Sequence, residues 1–100
     1  MKREEFLQSL ETILKECVEI SRKKNADYAD DTDPFKNFRT AELAHISLEQ
    51  GIFVRMLDKV TRIGNLLTRE AQVKDESLED TIKDLINYAA FIVIYRRSKQ

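Results

Sequence analysis

Gly and Pro are nearly absent from this chain: Gly51, Gly64 and Pro34 are the only three in 100 residues. Tight turns draw on the backbone freedom of Gly and the fixed φ of Pro, so the chain cannot be cut into the many short strands of a sandwich or barrel. Two isolated glycines also exclude a dinucleotide fingerprint or a P-loop, whose phosphate cradles need clustered Gly. Helices joined by short connections remain. The expected fold is an all-α bundle forming a single domain over residues 1–100.

The charge balance narrows the function classes. With 17 basic and 18 acidic residues the net charge is −1, which argues against nucleic-acid binding through a broad basic patch. A chain of this length buries only about 60–65% of its unfolded surface, so a homo-oligomer is an expected route to stability. Cys17 is alone, which rules out an intramolecular disulfide and suits a small buried apolar residue in a reducing compartment. The first five residues are mostly charged and no apolar stretch of the signal-peptide kind follows. The longest apolar run, residues 88–95, is too short to span a bilayer. These features lead to the expectation of a cytoplasmic protein without a membrane partner.

Three main helices are expected. Over residues 3–24, Phe6, Leu10, Ile13, Cys17 and Ile20 recur at spacings of three and four, with Leu7, Leu14 and Val18 beside them. Residues 25–39 hold the only Pro, several acids and three aromatics without helical period, and read as a long ordered loop. Residues 40–45 suit one or two helical turns. Ser47 and Gln50 match a capping box, so the second helix is expected over residues 47–68, with Ile52, Met56, Val60, Ile63 and Leu67 as its apolar stripe. A polar linker follows over residues 69–76. Ser77 with Asp80 then opens a third helix, expected over residues 77–96. Residues 85–95 are apolar around nearly the whole circumference, as in a helix at a bundle centre or a subunit interface.

Three groups of residues could carry chemistry. Glu76, Asp80 and Asp84 follow one another at intervals of four, so they share a helix face and could hold a hard cation such as Mg²⁺. The competing reading is that they are solvated acids favoured by the helix dipole. On the second helix Lys59 falls inside the apolar stripe, where it must snorkel, pair with a carboxylate or face a polar pocket. Arg55 and Arg62 flank it, a set suited to a polyphosphate, although Arg55 and Arg62 could instead pair with Asp58 at the surface. In the loop, Tyr28, Phe35 and Phe38 with Asp27 and Asn37 could stack on a nucleobase and read its edge, or the aromatics could pin the loop to the core. His45 has no second His or Cys at ligand spacing and reads as a helix-terminal residue.

Four blocks together carry a resemblance: K-N-A-D-Y (residues 24–28), D-P-F-K-N-F (33–38), R-M-L-D-K-V-T-R (55–62) and V-K-D-E-S-L-E-D-T-I-K-D-L-I-N-Y (73–88). In this order they resemble the phage and bacterial nucleotide modification associated domain family, type 1, over about residues 20–95. Its pattern is similar to that of the all-α nucleoside triphosphate pyrophosphohydrolases related to MazG and the dimeric dUTPases. The resemblance implies a Mg²⁺-dependent enzyme cleaving between α and β phosphates. Asp58, Glu76 and Asp80 would hold the metal, with Asp84 as a further ligand, and Glu76, Asp80 and Lys59 would carry catalysis. Arg55, Lys59 and Arg62 would bind phosphates, and Lys24, Asp27, Tyr28, Asn37, Phe38 and Tyr88 would complete the nucleotide site. Two positions depart from the pattern: the MazG-type Glu-x-x-Glu pair is reduced to Asp58 and Glu49, and Ala29 stands where the family has Gly. A scaffold with a depleted metal site would bind a nucleotide without cleaving it. The alternative expectation is therefore a phage sponge that sequesters a nucleotide-derived immune signal, an anti-defence protein.

Overall fold

The computed structural model describes residues 1–74 and 76–100; Asp75, in the expected linker and in the last family-like block, lies outside the described residues. The described chain is all-α: α1 (Arg3–Tyr28), a 3-10 helix (Lys36–Ala44), α2 (Leu48–Leu66) and α3 (Leu78–Ser98). No described helix is long and apolar enough to cross a membrane.

Both capping boxes form. Ser47 Oγ accepts from the Gln50 N–H at 3.0 Å while Gln50 Oε1 accepts from the Ser47 N–H at 2.9 Å. Ser77 Oγ likewise accepts from the Asp80 N–H at 3.1 Å, and Asp80 Oδ2 accepts from the Ser77 N–H at 3.2 Å and from its hydroxyl at 2.8 Å. Each box satisfies two N–H groups that a helix start leaves without partners, which is why α2 and α3 begin where the sequence predicts.

The loop expected over residues 25–39 is shorter than its composition suggests. α1 continues through Asn25-Ala26-Asp27-Tyr28, since nothing in that stretch breaks a helix, and the Ala29 N–H closes the last turn on Asn25 O at 3.0 Å. Asp30 then imposes a turn, its Oδ1 accepting from the N–H groups of Thr32 and Asp33 at 3.0 and 2.8 Å. Arg39 reaches back to both oxygens of Asp33, Nε to Oδ2 at 2.6 Å and Nη2 to Oδ1 at 2.9 Å. The forked pair holds the Asp33 carboxyl below the usual carboxylate range. The 3-10 helix starts at Lys36, four residues before the helical turns expected from residue 40. It ends at His45, whose left-handed conformation (φ 59°) lets its N–H cap the carbonyls of Ala41 and Glu42.

α2 and α3 share the most extensive contact, the 3-10 helix lies on α2, and α1 crosses α3. The core is Phe38, Leu48 and Ile52, ringed by Phe35, Met56, Tyr88, Phe91, Ile92 and Tyr95. Phe35 and Phe38 thus pin the segment before α2 to α3. Phe35 meets the Tyr95 ring edge-on at 5.1 Å, and Phe38 meets Tyr88 and Phe91 at 6.0 and 5.8 Å. Only one side of the apolar half of α3 is covered this way; Val93 and Ile94 are exposed.

Gly51 allows the 3-10 helix to lie this close to α2, because a Cβ there would stand 2.6 Å from Ala41 Cβ. Gly51→Ala is therefore expected to lower stability by about 1–3 kcal/mol through overpacking, although alanine favours helix, and thermal unfolding of the variant checks it.

Candidate functional site

The apolar stripe of α1 turns polar at its C-terminal end. Beyond Cys17 the same helix line presents Ser21, Lys24, Asn25 and Tyr28, and there α1 crosses α3. The crossing is held by polar bonds. Lys83 of α3, nearly buried, donates to Glu16 at 2.6 Å and to Glu79 at 3.1 Å, and these two partners raise its pKa above the ordinary lysine range. Asn87 donates from Nδ2 to Cys17 O at 3.0 Å, and Lys24 donates to Asp84 Oδ1 at 2.9 Å. Burial in this contact pushes the Cys17 thiol up, in keeping with the small buried residue expected there.

Between α1, the 3-10 helix, α2 and α3 lies an open cleft of about 420 Å³. α1 contributes Ser21, Lys24, Asn25 and Tyr28, and the 3-10 helix contributes Asn37 and Phe38. Arg55 and Lys59 come from α2, and Asp84, Asn87, Tyr88 and Phe91 from α3. Three cations thus face one volume with a single carboxylate among the described lining residues. Asp84 is held between two ammoniums, Lys24 on Oδ1 and Lys59 3.4 Å from Oδ2. Partial burial lowers the Lys24 pKa, but the bond and charge of Asp84 outweigh it and leave Lys24 above its ordinary value. Lys59 therefore resolves its position inside an apolar stripe by pairing with a carboxylate at the cleft. Arg55 lies 4.8 Å over the Phe38 ring and donates to Asn37 O at 3.5 Å, so its guanidinium stands at the cleft without a carboxylate partner among the described residues.

Of the residues expected to form the nucleotide site, Lys24, Tyr28, Asn37, Phe38, Arg55, Lys59, Asp84 and Tyr88 line this cleft. Phe38 does so as its buried floor, 6% exposed, and not as a free stacking face. Tyr28, 64% exposed at the mouth, is the ring available for stacking. Asp27 is on α1 but is not part of the lining. Arg62 is spent elsewhere. It donates from Nε to Thr81 Oγ1 at 3.2 Å and from Nη2 to Glu76 O, and lies 3.4 Å from the Glu76 carboxylate, tying α2 to the start of α3. The surface pairing of Arg55 and Arg62 with Asp58 does not form.

The acidic triad expected for Mg²⁺ does not assemble within the chain. Asp58 is exposed on α2, Glu76 pairs with Arg62, and Asp80 closes the α3 cap, whose bonds from Ser77 hold its carboxyl below the ordinary range. Among the described residues no three His, Cys, Asp or Glu side chains are placed to hold a metal ion together.

Ser21, Asn25, Asn87 and Phe91 also line the cleft, and sequence reasoning did not assign them there. The available signal was the polar continuation of the α1 stripe after Cys17. Asn25 and Asn87 use their amides structurally, Asn25 donating to Pro34 O at 2.8 Å and Asn87 to Cys17 O. No protein-family model, curated protein or solved structure matches the chain in comparison with known proteins.

Proposed function

We propose that the chain binds a nucleotide or nucleotide-derived anion in the cleft and holds it without cleaving it. The observation that carries this reading is the convergence of Lys24, Arg55 and Lys59 on one cavity with an aromatic floor and an aromatic mouth. Arg offers a forked contact and Lys a point charge to phosphate oxygens, and Tyr28 offers a face to a base. The family-like blocks support the same ligand class, since all four contribute lining residues to this cleft. Binding is favoured over cleavage because the one carboxylate in the described lining, Asp84, is already neutralised by two ammoniums.

The experiment pairs calorimetry with product analysis. The protein is titrated with nucleoside triphosphates, cyclic dinucleotides and ADP-ribose, with Mg²⁺ and again with EDTA, and the ligand is recovered after heating. The expected result is binding that survives EDTA and a ligand recovered intact. Release of monophosphate and pyrophosphate in Mg²⁺ would instead establish the pyrophosphohydrolase implied by the resemblance. No heat with any of these ligands would sink both.

A further inference from the structure

The N-terminal half of α1 stands away from the rest of the chain. Each of the first 16 residues is exposed, and among the described residues no side-chain hydrogen bond or ion pair leaves α1 before Glu16. Yet this arm carries Phe6, Leu7, Leu10, Ile13 and Leu14 along one face, each at least 40% exposed. An isolated helix of about a dozen residues is marginal in water, and its stability in a protein comes from packing an apolar face. Among the described residues the hydrophobic core does not extend to this face.

The dimensions say how much surface is left over. The accessible area is 7876 Å², whereas a compact monomer of 11.7 kDa is expected to expose about 5,900 Å². The radius of gyration is 15.1 Å against about 13 Å for a compact chain of this length. The excess of roughly 2,000 Å² per chain is what each subunit of an obligate dimer buries, and exceeds the roughly 800 Å² per partner of a standard interface. The chain also leaves Phe53, Leu57 and Val60 of α2 exposed at helical spacing, so a second copy brings a receiving face as well as its own arm.

We infer that the arm of α1 is an assembly element that packs its apolar stripe against a second copy of this chain. The contact is reciprocal, each copy covering the other's arm, so the assembly closes. It also steadies the site, because the α1–α3 crossing that forms one wall of the cleft is held within the chain mainly by polar bonds.

Light scattering on a sizing column at tens of micromolar tests this independently of any ligand. The wild type is expected at a multiple of 11.7 kDa, and Leu10→Asp at 11.7 kDa itself. Val73→Asp, an exposed apolar position outside the arm, is expected to keep the wild-type mass. If Leu10→Asp does not fold, the double variant Leu10→Ala/Ile13→Ala retains helix propensity and is expected to weaken assembly by about 100-fold or more. A wild-type monomer overturns the inference, and so does an assembly that either arm variant leaves intact.

Discussion

Phe38→Ala is expected to lower stability by about 3–5 kcal/mol, the range for removing a buried aromatic ring. Phe38 is 6% exposed, joins Leu48 and Ile52 in the core, and touches Tyr88 and Phe91 on α3 and the Arg55 guanidinium on α2. Its loss leaves a cavity between three elements and frees Arg55 from its resting place over the ring. Denaturant unfolding followed by circular dichroism measures the cost. A loss below 1 kcal/mol would mean that the ring is not the anchor of the 3-10 helix. Phe38→Leu keeps apolar volume and is expected to recover much of the loss, which separates packing from any role of the aromatic face in binding.

Lys59→Ala is expected to weaken nucleotide binding by about 10-fold to 100-fold, the effect of losing one charge-assisted hydrogen bond of about 1.5–3 kcal/mol. The change removes a cation from the cleft and leaves Asp84 with only Lys24 as its partner, so the carboxylate also repels an incoming phosphate. Asp84→Asn is expected to act in the opposite direction. It frees Lys24 and Lys59 from the internal anion that now occupies them, 2.9 and 3.4 Å away, and tightens binding of the same ligand. Calorimetric titration of both variants is the measurement. Should Asp84→Asn instead abolish binding, with loss restored by no concentration of ligand, Asp84 would be a ligand-holding group and the division of roles proposed for the cleft would fall.

Much of the fold was legible because its signals are local. Ser47 with Gln50 and Ser77 with Asp80 lie three residues apart, and a capping box requires no other part of the chain to form. The stripe of α1 was legible for the same reason, down to the lone Cys17 on its apolar line. The extent of the loop was not. Composition marked residues 25–39 as irregular, but α1 runs on to Tyr28 and a 3-10 helix takes over from Lys36, because Asp30, Asp33 and Arg39 form a short turn whose closing bonds span up to six residues. The acidic row at the start of α3 illustrates a different difficulty. Its spacing is compatible with a metal site, with a capping box and with ion pairing, and the structure uses Asp80 for the second and Glu76 and Asp84 for the third.

Periodicity and capping over a few residues establish that this chain is helical, where α2 and α3 start, and that a group of cations lies on α2 and a row of carboxylates at the start of α3. Which of them share a cavity depends on how the helices pack against one another. Arg55, Lys59 and Arg62 lie within eight positions of one another on one helix, yet the first two face the cleft and the third turns to Glu76 and Thr81. The reason is geometric. A helix fixes the angle between its own side chains but not which neighbour each angle meets, and that depends on how α1 crosses α3, through bonds between residues sixty or more positions apart.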